Sequence, residues 1–208
     1  ISEYLPKGAL GKQLEALIRK SYEILSVHPI NVEREKQGKN PANSIWFWGE
    51  GTKPSIPSFQ SQYGKTGTMI SAVDLLKGIA VGSGMQNVSV QGATGTIGTN
   101  FLGKAQAAID ALESGRDFCM IHLEATDECG HQRDPKGKAK SIELIDEKVI
   151  GTLVNHFEKS GEDYALLVMP DHYTPVSLGK HTSEPVPFML YASNKALSKG
   201  EVYDEKHA

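Results

Sequence analysis

Residues 118–131 read FCMIHLEATDECGH, a strand-like run that passes directly into a segment with an aspartate and a histidine. The run Phe118–Leu123 is rich in apolar and aromatic side chains, and an aspartate precedes it, as is typical of a buried strand. In open α/β sheets, ligands bind beyond the carboxyl ends of the parallel strands. The polar residues after this strand are therefore the first candidates for a functional site.

The same kind of run recurs along the chain and alternates with helical patterns. Apolar residues at three- and four-residue spacings over Gly8–Leu25 predict an amphipathic helix. The other predicted strands are Ser44–Gly49, Thr68–Val73, Val88–Gln91, Tyr164–Met169 and Phe188–Ala192, and the other predicted helices are Leu75–Gly84, Asn100–Ser114 and Gly137–Glu158. This alternation predicts an α/β fold with a mostly parallel sheet that is flanked by helices.

The composition is that of an ordinary globular chain. Hydrophobic residues make up 39% and charged residues 23% of the 208 residues, and the formal net charge is -3. A chain of this length is expected to form one domain with a substantial core. The small net charge disfavours nucleic acid and anionic membranes as partners. Because no apolar run approaches the roughly 18–20 residues of a membrane span, we expect a soluble, cytoplasmic protein.

Aspartate and histidine residues follow two of the predicted strands, 118–123 and 164–169. Aspartate and neutral histidine are good ligands for divalent first-row metals, and residues after neighbouring strands can converge on one cavity. The candidate ligands are Asp127, His131, Asp171, His172 and His181. Judged by their spacing alone, these residues are about as consistent with ordinary polar loop ends as with the ligands of a metal site.

Two basic residues are candidates for binding an anionic substrate. Lys77 stands at a predicted strand-to-helix junction, and Arg34 has the guanidinium that forms bidentate contacts with carboxylates and phosphates. The alternative for each is an exposed surface position. The glycine-rich segment 92–95 lacks the Gly-Lys-Ser/Thr ending of a P-loop, so it is interpreted as a turn.

Several long motifs give the chain a resemblance to a known family. They are NPANSIWFWGEG (40–51), ISAVDLLKGIAVGSGM (70–85), VQGATGTIGTN (90–100), IHLEATDECGH (121–131), MPDHYTPVSL (169–178) and KHTSEPVPFMLY (180–191). On these motifs the chain resembles the archaeal-type cofactor-independent (2,3-bisphosphoglycerate-independent) phosphoglycerate mutases of the alkaline phosphatase superfamily. The resemblance covers most of the chain and implies an alkaline phosphatase-like sheet.

The resemblance also implies two divalent metal ions, manganese or zinc, with magnesium as an alternative. It implies one metal at Asp127, His131 and His181. A second metal is implied at Asp171 and His172, together with an aspartate and a nucleophilic serine that have no match in this sequence. The implied reaction is that of a glycolytic isomerase, an intramolecular phosphotransferase that interconverts 3-phosphoglycerate and 2-phosphoglycerate through a phosphoserine.

The sequence departs from the family pattern in ways that bear on activity. The family's N-terminal strand, its nucleophile loop and most of its cap domain have no counterpart. We therefore expect residues 1–208 to be the C-terminal portion of the phosphatase-like catalytic domain, inactive alone. Such a portion is expected to expose an apolar strand face, which favours homo-oligomers. Cys129 stands where relatives usually have alanine, and its small size favours simple replacement over an added thiolate ligand.

Other functions use the same residue types. A metal-dependent phosphatase, or a phosphotransferase acting on another small metabolite such as homoserine, would need the same metals. A non-enzymatic, metal-stabilised binding module would need only the ligands. The cap domain distinguishes a mutase from a phosphatase, because it keeps water out of the site.

Overall fold

The computed structural model describes residues 2–49, 51–195 and 202–206. The chain divides into two compact units, residues 1–54 and 55–208, where length alone predicted one domain. Among the described residues, no helix has the length and apolar character needed to cross a membrane.

The first unit is helical. It contains a 3-10 turn, Ser2–Tyr4, followed by helices α1, Gly11–Leu25, and α2, Pro29–Lys36. The amphipathic helix predicted from the periodicity is confirmed as α1. Helix α2 begins at Pro29, a position where the missing N–H of proline costs nothing, and the His28 side chain accepts a hydrogen bond from Ile30 N.

The strand predicted at Ser44–Gly49 is wrong, because this segment is irregular. Its backbone groups, and those just before it, are paired with buried side chains instead of another strand. The Asn31 amide donates to Ala42 O at 2.7 Å and its oxygen accepts from Ala42 N at 2.9 Å, while Ile45 N donates to Ser21 Oγ at 2.9 Å. Side chains thus satisfy backbone groups that a sheet would otherwise have paired.

The second unit contains the sheets. Its elements are α3 Phe59–Tyr63, β1 Gly67–Ile70, α4 Asp74–Gly82, β2 Gln86–Val88, α5 Phe101–Glu113, β3 Phe118–Ile121, α6 Ala125–His131, α7 Pro135–Ile145, α8 Gly151–Ser160, β4 Ala165–Val168 and β5 Met189–Ala192. A π-helical turn, Asp146–Ile150, joins α7 to α8, where one continuous helix was predicted. Strands β2, β1 and β3 form a parallel sheet in that order, and β4 pairs with β5 in antiparallel orientation. The strands predicted at 118–123, 164–169 and 188–192 are present with shorter bounds. Strand β1 begins one residue before the predicted start at Thr68, and β2 shares only Val88 with the strand predicted at Val88–Gln91.

The core lies between the central strand β1 and helices α5 and α8. All four residues of β1 are buried, as expected for a strand covered on both faces. Small residues on α5 allow the helix to approach the sheet closely, and larger side chains fill the remaining space. The buried cluster comprises Ile70, Phe101, Ala105, Ala108, Ile109, Ala125, Val149, Leu153 and Phe157.

Strands β3 and β4 each present one apolar side to solvent. In β3, Phe118 is 42% and Met120 is 41% exposed, and in β4 Leu167 is 55% exposed. In the described part of the chain, each of these strands is paired along one edge. The prediction of an exposed apolar strand face is confirmed at these positions, whereas self-association stays a prediction.

Candidate metal centre

Helix α6 and the loop after β4 carry the predicted ligands. Asp127 and His131 lie four residues apart on α6, so their side chains occupy the same face of the helix. An antiparallel bridge between Tyr173 and Thr182 closes residues 173–182, here called the His181 loop, and Thr182 N donates to Tyr173 O at 3.1 Å. This closure sets His181 beside α6.

Asp127, His131 and His181 converge on one point. His131 Nε2 lies 3.3 Å from Asp127 Oδ2, His181 Nε2 lies 3.3 Å from Asp127 Oδ1, and the two Nε2 atoms lie 3.0 Å apart. A tetrahedral ion with bonds of about 2.0–2.2 Å separates its ligand atoms by about 3.3–3.6 Å. The spacing of the three side chains therefore fits a single divalent ion, as their chemistry does.

Hydrogen bonds fix the orientation of two of these side chains. His131 Nδ1 donates to Gly179 O at 3.0 Å, because a carbonyl can only accept, and in the neutral imidazole this leaves Nε2 with its lone pair toward Asp127 and His181. The Thr174 hydroxyl donates to Asp127 Oδ1. Metal-bound histidines and carboxylates are commonly oriented in this way by groups that do not touch the metal.

Asp171 and His172 form a separate pair beside this group. The His172 ring packs against the His181 ring with centroids 3.8 Å apart. His172 Nδ1 donates to Tyr173 O at 3.2 Å, which leaves Nε2 free at 3.5 Å from Asp171 Oδ2. The Asp171 side chain is 74% exposed and that of His172 is 29% exposed, so this pair offers two adjacent ligand atoms, of which the carboxylate is the more open to solvent.

The two predicted substrate-binding residues make local contacts. Arg34 Nε donates to Asn40 O at 2.9 Å, within the first unit. Lys77, near the start of α4, forms an ion pair with Asp74 at 3.1 Å. Helix α4 follows β1 directly, so Lys77 lies at the carboxyl edge of the parallel sheet.

A polar cluster at the carboxyl ends of β1 and β3 was missed by the sequence analysis. Ser71 Oγ lies 3.3 Å from His122 Nδ1, and the fully buried Lys104 donates from Nζ to His122 O at 3.0 Å. Burial lowers the pKa of His122 and that of Lys104, and the Glu124 carboxylate partly opposes both effects. His122 escaped notice because it was counted as part of the strand, although it stands in the same motif as Asp127.

The glycine-rich segment 92–95 is a turn, as predicted. A Cβ at Gly95 would overlap the Glu124 carboxylate, which therefore lies directly against the backbone of this turn. A carboxylate in that position would repel a phosphate, which argues against a phosphate cradle there.

Comparison with known proteins places the chain in a family. A model of the Metalloenzyme superfamily matches residues 19–206. The chain belongs to this superfamily. It is 46% identical to the 2,3-bisphosphoglycerate-independent phosphoglycerate mutase of Methanosarcina acetivorans, and the match covers 98% of this chain and 51% of that protein. It is 47% identical to the relative of the same name from Methanosarcina barkeri. The predicted resemblance is confirmed, and the chain spans about half the length of the curated relatives it matches.

Solved structures show the same fold. The PH0037 protein from Pyrococcus horikoshii superposes with a TM-score of 0.71 and 34% identity, over 87% of this chain and 47% of that one. The cofactor-independent phosphoglycerate mutase from Thermoplasma acidophilum superposes with a TM-score of 0.51 and 23% identity, over 94% and 45% of the two chains. The second likeness concerns the fold alone. The predicted alkaline phosphatase-like α/β class is thereby confirmed.

Proposed function

We propose that this chain supplies the metal-binding part of a cofactor-independent phosphoglycerate mutase, which interconverts 3-phosphoglycerate and 2-phosphoglycerate in glycolysis. The observation that best supports the proposal is the convergence of Asp127, His131 and His181. The names of the relatives supply the reaction. Because those relatives are about twice as long, the activity is proposed for a protein in which residues 1–208 form the C-terminal portion of the catalytic domain.

The ligand set points to manganese or zinc. Two imidazoles and a carboxylate at Asp127, His131 and His181 suit either ion better than magnesium, which prefers oxygen ligands. Asp171 and His172 are proposed as partial ligands of a second ion. Two bound cations would activate a nucleophile and neutralise the charge of a phosphoryl group during in-line displacement.

The residues of this chain would prepare the site for a phosphorylated substrate. Ser71 Oγ accepts a hydrogen bond from Val73 N, so its own proton is available for His122 Nδ1. In that arrangement His122 keeps a proton on Nε2, from which it can donate to an anionic oxygen at the sheet edge. Lys77 is proposed as a further contact to the carboxylate or phosphate of phosphoglycerate, and the substrate-binding role of Arg34, which lies in the first unit, stays a prediction. We propose a cytoplasmic location, since glycolytic substrates are found there.

The proposal is tested by a chimera in which this chain replaces the matching half of the Methanosarcina acetivorans relative. Formation of 2-phosphoglycerate from 3-phosphoglycerate is followed after loading with manganese or zinc, and release of inorganic phosphate is measured in parallel. We expect interconversion with little phosphate release, and its loss on Asp127→Ala. A folded chimera that only releases phosphate would support the phosphatase alternative, and an unaffected Asp127→Ala chimera would contradict the ligand assignment.

A further inference from the structure

The end of α6 contacts the His181 loop through one long side chain. Arg133, two residues after α6, donates from Nη1 to Ser177 O at 2.5 Å and from Nη2 to Leu178 O at 3.0 Å. The next carbonyl of the loop, Gly179 O, accepts from His131 Nδ1. Three successive carbonyls of the loop are therefore held by the end of α6.

The backbone of Arg133 is unusual. Its φ of 58° lies in the left-handed region, where it is the one non-glycine residue among those described. This conformation ends α6, with Arg133 N donating to Gly130 O at 3.1 Å and Asp134 N to Cys129 O at 2.9 Å. Glycine and asparagine usually occupy such positions at a helix end. Arginine is strained in this conformation, which indicates that its side chain has a role beyond ending the helix.

The loop is also held at its other end. Lys138 Nζ donates to Thr174 O at 2.9 Å, and Thr174 in turn donates to Asp127. Gly130 packs so closely against Thr174 that a Cβ there would overlap the Thr174 carbonyl. The His181 loop is thus fixed to α6 and α7 at several points that precede the metal ligand it carries, and the bridge between Tyr173 and Thr182 closes it after that ligand.

His181 itself depends on this support. Its side chain is 52% exposed, and its described contacts are with Asp127, His131 and His172, which are themselves proposed ligands. Without the loop contacts, His181 would have to be ordered when a metal binds, and that ordering would weaken binding. The position of His181 is therefore set mainly by the backbone of its loop.

We infer that Arg133 is a positioning residue for the metal centre, holding the His181 loop so that His181 faces Asp127 and His131 before any metal binds. The inference rests on the proposed metal site at these three residues. If Arg133 only ended α6, its loss would change the stability of the chain without changing metal affinity. If it positions His181, its loss lowers affinity while the metal-free fold is retained.

Arg133→Gly separates the two roles, because glycine adopts the positive φ freely and only the guanidinium is lost. Zinc is titrated into the 208-residue chain with a competing chelator, and thermal unfolding of the metal-free chain is recorded for each variant. We expect Arg133→Gly to weaken zinc binding by about 10–100-fold, the usual effect of losing a group that orients a ligand. Its metal-free melting temperature should stay close to that of the original chain.

Two further variants complete the test: Lys136→Ala is the control, and Arg133→Lys is a second change to the guanidinium. Lys136→Ala removes an exposed positive charge from the first turn of α7 and should leave zinc affinity unchanged. Arg133→Lys keeps the charge but cannot reach two carbonyls in the same way, so it should also weaken binding. If Arg133→Gly fails to fold, the Arg133→Lys comparison decides. The inference is overturned if Arg133→Gly, or Arg133→Lys where Arg133→Gly does not fold, binds zinc as tightly as the original chain. If His181→Ala leaves zinc binding unchanged, the proposed metal centre is overturned instead.

Discussion

The Nε2 atoms of His131 and His181 lie 3.0 Å apart although the two residues are separated by 50 positions in the sequence. His131 is carried by a helix and His181 by a loop that a bridge between Tyr173 and Thr182 closes. Two ring nitrogens at this distance, both near the Asp127 carboxylate, are arranged as ligands of one ion are.

The carboxylate of Asp117 should make the fold sensitive to acid. Thr66 N and Oγ1 each donate to it at 2.8 Å and Lys65 at 2.9 Å, and these contacts hold the pKa of Asp117 well below its ordinary value of 3.8. Stability from a lowered carboxyl pKa is present above the unfolded-state value and is lost as the pH falls toward the folded-state value. Urea unfolding should therefore show Asp117→Asn less stable than the original chain at pH 7, with the difference shrinking below about pH 4. A constant difference across this range would contradict the prediction.

Lys104 should produce a slope of the same sign at alkaline pH. Burial lowers the pKa of Lys104 in the folded chain below the ordinary 10.5. At a pH between the folded-state pKa and the unfolded-state pKa, the unfolded chain therefore binds more protons than the folded chain. Stability therefore rises with pH through this window. Lys104→Met keeps the length of the side chain and removes the charge. Unfolding measured from pH 8 to 10.5 should show that the original chain gains stability relative to Lys104→Met as the pH rises.

The exposed side of β3 should promote self-association. Phe118 and Met120 present apolar surface along a strand whose second edge is unpaired within the described part of the chain, and such strands template pairing with other chains. Sedimentation velocity over a range of concentrations should show association that Met120→Lys reduces. Leu75→Lys, at an exposed helical position of α4, is the matched control and should leave association unchanged.

The sequence predicted most strands of the second unit because each is a short apolar run with polar residues after it. It failed at Ser44–Gly49, where the run is apolar and aromatic but Asn31 and Ser21, distant along the chain, pair with the local backbone. Residue type alone does not reveal such side-chain contacts to the backbone. A strand was therefore predicted where the structure has none.

The proposed metal ligands were predictable because aspartate and histidine after strand ends are recognisable by residue type. Arg133 and Thr174 were not, since they act through hydrogen bonds to carbonyls and to a ligand, and these depend on the path of the backbone. The left-handed conformation of Arg133 in particular has no signal in its residue type.

The assignment of ligands to metals is tested most directly by titrating manganese or zinc into the 208-residue chain and into two histidine variants. In the proposed assignment, Asp127, His131 and His181 would give one ion three ligands from this chain, whereas Asp171 and His172 would give a second ion only two. Affinity rises with the number of pre-arranged ligands, so one tight site is expected. His181→Ala should abolish that site and His172→Ala should leave it nearly intact. The reverse result, with binding lost in His172→Ala and kept in His181→Ala, would contradict the account.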